Sequence, residues 1–252
     1  MALITLKFYS EALQMQTEVY VAIPQKSSDG EIGIENNAGD GKYKCLYLLH
    51  GLSDDHTIWL RRTSIERYAA DYGICVVMPC GGRSFYTDMK YGANYYTYIA
   101  KELPRVIGEF FNVSDKREDT YIAGLSMGGY GALKIALRES GRFCAAAGLS
   151  SVADIYREDF KKTLVPVFGD NIEIPREDDL FSLVESKNSE EQKPRLFMAI
   201  GTEDFMYEDN LRLKAKIEEL DYDYTYTEDA GTHSWDFWDD KIQIALEWMF
   251  EK

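Results

Sequence analysis

Three side chains on three separate turns, a serine, a histidine and a carboxylate, have the types and settings that covalent acyl chemistry needs. The serine is Ser126 in Gly124-Leu125-Ser126-Met127-Gly128-Gly129, which follows the apolar run TYIAGL and leads into the helical stretch MGGYGALKIALRES. G-x-S-x-G between a strand and a helix is the setting of a nucleophile elbow. The reason is steric. A serine on a strained tight turn needs neighbours without Cβ atoms, so that the helix can start close against the strand. Its Oγ is then pushed out at the carboxyl edge of the sheet, beside the free N–H groups of a helix N-terminus. The plainer alternative is a glycine-rich turn that only tightens helix packing.

A serine hydroxyl is a poor nucleophile until a base takes its proton. The chain has three histidines, His50, His56 and His233. On an elbow of this kind the order along the chain is nucleophile, acid, histidine, and only His233 follows Ser126. It lies in Asp229-Ala230-Gly231-Thr232-His233-Ser234-Trp235, a glycine-containing loop between a strand-like and a helix-like segment. The acid that orients the imidazole belongs at a strand end between the two. The run RLFMAIG ends in Thr202-Glu203-Asp204, which selects Asp204, with Glu203, Asp209 and the more distant Asp154 as decoys. Donors for a developing oxyanion are expected from the backbone N–H of Met127, directly after the nucleophile. The second is expected from Leu52, in the turn Leu48-Leu49-His50-Gly51-Leu52-Ser53. His50 reads as a hydrogen-bonding residue of that turn. His56 and Trp59 read as wall or first helix beyond it, and Trp59 and Phe168 are the candidate substrate contacts.

The elements that must position these residues are legible in the periodicities. Ile4, Leu6 and Phe8, then Val19, Val21 and Ile23, alternate with polar residues and predict a hairpin at a sheet edge. Residues 25–43 are rich in Gly, Asn, Asp and Ser and predict a surface loop. From Cys45 onward the runs CLYLL, ICVVMP, TYIAGL, FCAAAGL and RLFMAIG do not alternate, as expected of parallel strands buried on both faces. Helical stretches at roughly 57–72, 94–111, 127–139, 207–220 and 236–251 separate them, so the class is α/β. DYDYTYTE at 222–229 suits a strand nearer an edge. The stretch at about 151–193 breaks the rhythm and predicts a small cap-like insertion, so the whole of 1–252 reads as one domain. The acidic pairs Asp178-Asp179 and Glu190-Glu191 read as solvated faces.

Composition narrows the function classes. With 252 residues and a formal net charge of −15, contacts to phosphate or to anionic membranes are disfavoured. No run of ~20 apolar residues predicts a membrane span. The four cysteines, Cys45, Cys75, Cys80 and Cys144, are few and set largely in apolar runs, and no CxxC pair points to zinc or redox work. MALITLKFYSEALQMQ lacks a basic n-region and an unbroken apolar core, which predicts a cytoplasmic location. The chemistry calls for no metal or organic cofactor, and self-association into a homo-oligomer is left open.

Taken together, YLLHGLSDDHTIWL, GLSMGGYGALKIAL, IGTEDFMYEDN and GTHSWDFW resemble the tributyrin-esterase branch of the esterase D family, along essentially the whole chain. That group includes the S-formylglutathione hydrolases and is similar to carbohydrate acetyl and feruloyl esterases. The resemblance implies an α/β-hydrolase fold, with a mostly parallel sheet of about eight strands and helices on both faces. It also implies Ser126, Asp204 and His233 as triad, Leu52 and Met127 as oxyanion hole, and a small-molecule ester substrate. S-formylglutathione hydrolases usually read G-H-S-M-G-G at the elbow; Leu125 in place of that histidine favours short-chain carboxyl esters over a glutathione thioester. The same fold can carry a peptidase, an acyltransferase or an inactive binding protein. Peptidases of this type usually carry an additional domain, and an intact set of Ser, His and acid argues against inactivity.

Overall fold

The computed structural model describes residues 1–26, 32 and 41–250; most of the loop expected at 25–43 lies outside them. The alternating segments form β1 (Ala2–Ser10) and β2 (Met15–Ile23), an antiparallel hairpin. The non-alternating runs form β3 (Cys45–Leu49), β4 (Cys75–Pro79), β5 (Thr120–Leu125), β6 (Ala145–Leu149) and β7 (Arg195–Gly201). With β8 (Tyr224–Asp229) they make, among the described residues, one eight-stranded sheet in the order β1-β2-β4-β3-β5-β6-β7-β8. β2 joins β4 antiparallel, and every pairing from β4 to β8 is parallel. Only β1, β2 and β8, at the two ends of the sheet, keep a partly exposed face, which is why they alternate or carry Tyr and Thr beside acids.

Each face of the sheet has its own apolar layer, because successive side chains of a strand point to opposite sides. Tyr47, Leu49, Val77, Ile122 and Met198 face one layer, which takes in Tyr130 and Leu133 of α5 (Met127–Arg138) and Leu213 and Ile217 of α8 (Tyr207–Glu218). Leu46, Leu48, Val76, Ala123 and Phe197 face the other. That layer is closed by α1 (Ile58–Arg62), α2 (Ile65–Tyr72) and α9 (Trp235–Phe250). The stretch expected as one helix at 94–111 is α3 (Tyr95–Thr97), a π turn at Tyr98–Glu102 and α4 (Leu103–Phe110). Glu102, buried at the end of that turn, accepts hydrogen bonds from Ser10 Oγ and from the amides of Glu11 and Ala12, and so ties the edge hairpin to the helix.

The segment after β6 contains α6 (Lys161–Phe168) and α7 (Leu180–Lys187). The amides of Lys90 and Tyr91 donate to the carbonyls of Val167 and Pro166 at the end of α6, which stitches this segment to the loop after β4. Here one expectation is corrected. Asp178 is not on a solvated face: it is buried, and its Oδ1 lies 2.9 Å from Nζ of Lys134. The reason sits in α5. Lys134 falls on a helix buried all round, and an ammonium there needs a counter-ion and three acceptors. Its Nζ finds Asp178, the Phe85 carbonyl at 3.0 Å and Thr87 Oγ1 at 2.7 Å. Asp179 instead caps α7 by accepting from the Ser182 amide, and Glu190 takes Lys187 and Ser140.

Burial pushes the Lys134 ammonium down to about 8, from an ordinary 10.5. Asp178→Ala, which strands that charge, should cost about 3–5 kcal/mol in urea unfolding, and Lys134→Met with Asp178→Leu should recover most of it. Between pH 8 and 10.5 the unfolded chain still holds a proton that the folded chain has released. The wild type should therefore gain stability relative to the double variant as pH rises through that window.

Candidate active site

The three turns meet at the carboxyl edge of the sheet. Ser126 stands between the last residue of β5 and the first of α5, with φ 54° and ψ −118°. A non-glycine residue at positive φ costs about 1–3 kcal/mol and persists only where its surroundings impose it. Here the Ser126 amide donates to the Leu149 carbonyl at 2.8 Å, and its own carbonyl accepts from the Tyr130 and Val152 amides. The glycines are needed on both sides. A Cβ on Gly124 would stand 2.4 Å from the Gly128 backbone, and one on Gly128 would stand 2.5 Å from the Leu49 carbonyl oxygen.

Asp204 ends the turn after β7, with its side chain fully buried. Its Oδ1 accepts from the Met206 amide at 2.9 Å, and its Oδ2 lies 2.8 Å from His233 Nδ1. A carboxylate has only acceptors, so Nδ1 carries the proton and Nε2 is left with a lone pair. That nitrogen lies 3.0 Å from Ser126 Oγ. The loop bearing His233 is held by the residue next door: Glu203 accepts from the Gly231 amide at 2.6 Å, and this bond keeps its carboxyl below the usual range. Gly201 and Gly231 approach so closely that a Cβ on the former would meet the latter's carbonyl oxygen at 2.1 Å. Thus Glu203, a decoy for the catalytic acid, positions the loop. Asp209 is taken by Arg157 and Arg212, and Asp154 by Arg212.

His50 is a structural residue of its turn. Its Nδ1 lies 2.7 Å from the Gly51 carbonyl and must donate to it, and its Nε2 accepts from the Gly81 amide at 2.8 Å. Burial lowers its pKa, which keeps Nε2 free to accept. Tyr86, fully buried, donates to the His50 carbonyl and packs against Gly81 and Gly131. No motif marked that tyrosine in the sequence. Gly51 is set against the elbow, since a Cβ there would meet Leu125 Cδ1 at 2.8 Å and Ser126 Cβ at 3.8 Å. Leu52 is the next residue along this turn. His56 pairs with Glu18, away from the triad.

Among the described residues, neither suggested substrate contact, Trp59 or Phe168, makes a ring contact with His233. Trp59 is 1% exposed, donates to the Leu49 carbonyl and packs edge-on against Trp235. Its indole was needed to seal the apolar layer beneath the turn, which takes it out of reach of a ligand. Phe168 closes α6, half-buried against the opposite layer. The described rings that do meet His233 are Trp238 and Phe205, each 4.8 Å away between centroids. Phe205 could have been suspected from its place beside Asp204.

With this geometry in hand, comparison with known proteins is informative. The Esterase family model matches residues 10–249. The chain belongs to that esterase family. It is 32% identical to the acetyl esterase of Caldicellulosiruptor saccharolyticus, over 99% of this chain and 98% of that one. Among solved structures it resembles the substrate-bound fluorophosphonate-binding serine hydrolase F of Staphylococcus aureus, at 34% identity and TM-score 0.87, over 100% and 99% of the two chains. The S-formylglutathione hydrolase of the same organism follows at 34% and 0.84, over 99% of each. The fold is that of the α/β-hydrolases, and the chain is a serine hydrolase of the esterase D and S-formylglutathione hydrolase family.

The close backbone approach at the elbow leads to a test. Gly128→Ala should lower stability by about 1–3 kcal/mol and abolish most activity, as the helix start is forced away from Leu49. Gly141→Ala, where a Cβ meets nothing within 4 Å, should leave both unchanged. Thermal unfolding and ester turnover read the difference.

Proposed function

We propose that the chain is a carboxylesterase for short acyl groups, acetyl to butyryl, acetylated carbohydrates among its substrates, acting through an acyl-serine at Ser126. The observation that carries the reading is the line Asp204–His233–Ser126, at 2.8 and 3.0 Å, ending on a serine held at positive φ. Ser126 Oγ attacks the ester carbonyl carbon while His233 Nε2 takes its proton. The carbonyl oxygen becomes an oxyanion held by the Leu52 and Met127 amides. Collapse breaks the bond to the alcohol oxygen, which leaves with the proton from Nε2. A water then gives a proton to Nε2 as its oxygen bonds to the acyl carbon; collapse breaks the bond to Ser126 Oγ, which takes the proton back from Nε2, releasing the acid and free serine. Asp204 holds the tautomer and offsets the imidazolium charge at both proton transfers.

The likeness to an S-formylglutathione hydrolase supports a thioester as second reading. Leu125 weighs against it: this buried side chain lies under Gly51, so a different residue there repacks the turn that presents Leu52. In this reading 1–252 is one domain, the residues at 151–193 are a small cap over a short acyl pocket, and the enzyme works in the cytoplasm without cofactor. Among the described residues no helix is long and apolar enough to cross a membrane.

Ser126→Ala or His233→Ala should lower turnover by about 10⁴-fold or more with the fold intact, and Asp204→Asn somewhat less. Near-wild-type turnover by folded His233→Ala protein would overturn the assignment. Along a series of soluble p-nitrophenyl esters, acetyl to butyryl should be fastest; faster turnover of chains of ten or more carbons would refute the short pocket.

A further inference from the structure

Acylation places the leaving oxygen at His233 Nε2, because that nitrogen must protonate it. The body of the alcohol therefore lies along whichever flank of the imidazole is open, while the acyl chain stays with the carbon bonded to Ser126. Two rings flank the imidazole. Trp238 is 6% exposed and its Nε1 is taken by Ser150 Oγ, so that flank is closed. Phe205 is 57% exposed although its ring lies 4.8 Å from the imidazole.

Phe205 is also held in place. The Arg157 guanidinium sits 5.5 Å from its ring centroid and reaches its carbonyl oxygen at 3.4 Å. Arg157 is itself fixed by Asp209 at 2.6 Å and Asp159 at 2.7 Å. Beyond it, Arg157, exposed Tyr156, Lys161 and Asp170 line a cavity of about 220 Å³ together with apolar Leu164 and Ile172, in the segment after β6. Arg157 thus touches both the exposed Phe205 ring beside the imidazole and this cavity of mixed polar and apolar lining.

We propose that Phe205, braced by Arg157, is the leaving-group specificity residue, selecting esters whose alcohol lays a flat ring against it. This rests on the triad reading above. Offset or edge contact between rings adds a preference that a flexible aliphatic chain of similar size does not share.

The test compares benzyl acetate with n-hexyl acetate, two primary esters that form the same acetyl-enzyme. Phe205→Leu should lower kcat/KM for benzyl acetate about five- to tenfold and leave that for n-hexyl acetate unchanged. The deacylation rate, read from burst and steady-state phases with p-nitrophenyl acetate, should not change, and Phe205→Tyr should restore the ring preference. An equal fall for both acetates, or slowed deacylation, would make Phe205 a prop for the imidazole and overturn the proposal; so would an unaltered ratio. Ser126→Ala tests the foundation separately: if it stays active, the triad reading fails whatever the Phe205 variants show.

Discussion

Backbone must touch backbone at the carboxyl edge of β5 for anything else at the site to exist. Gly128 is seated against the carbonyls of Leu49 and His50 with no room for a methyl group, and this contact sets the start of α5 against the end of β3. Ser126 stands there at positive φ, with Gly51 of the neighbouring turn packed against it. The strain of that conformation is small against the amide bonds that impose it, since Leu149, Tyr130 and Val152 all hold the Ser126 backbone. Ser126, Met127 and the turn at Gly51 thus share one rigid support, the preorganisation that the proposed chemistry calls for.

The turn after β7 does three jobs with three consecutive residues. Glu203 fastens Gly231, Asp204 orients His233, and Phe205 faces solvent beside the imidazole. A tight turn allows this because its successive side chains leave in different directions. Position 204 is enclosed, so its carboxylate can serve only as an acceptor for His233 and Met206. Its neighbours remain at the surface, where Glu203 meets backbone and Phe205 meets the Arg157 guanidinium.

The ion pair of Lys134 and Asp178 couples the nucleophile helix to the segment after β6. Buried pairs are weak evidence for stability, because desolvation offsets much of the attraction. What this pair supplies is location. All three ammonium hydrogens have acceptors, from the loop at Phe85–Thr87 and from the turn before α7. The segment between β6 and β7 is therefore fixed relative to α5, and with it the Arg157 side of the site.

The strands, their burial and the pairing of Ser126 with His233 were legible in the amino-acid order. A parallel strand covered on both faces must be apolar throughout, an elbow must place glycines around its serine, and a single histidine followed Ser126. The contact of Asp204 with His233 also followed from its place at a strand end. Tertiary structure alone decided the rest. Whether Trp59 meets a ligand or seals the layer under His50 depends on which side of a short helix meets the sheet, and α1 turns it inward. Whether Asp178 is solvated depends on Lys134, forty-four residues earlier, and no local pattern joins the two. Phe205 gains its place against His233 only when the turns after β7 and β8 come together. These are contacts between residues far apart in the chain, where periodicity has nothing to say and only the closing of the fold selects a partner.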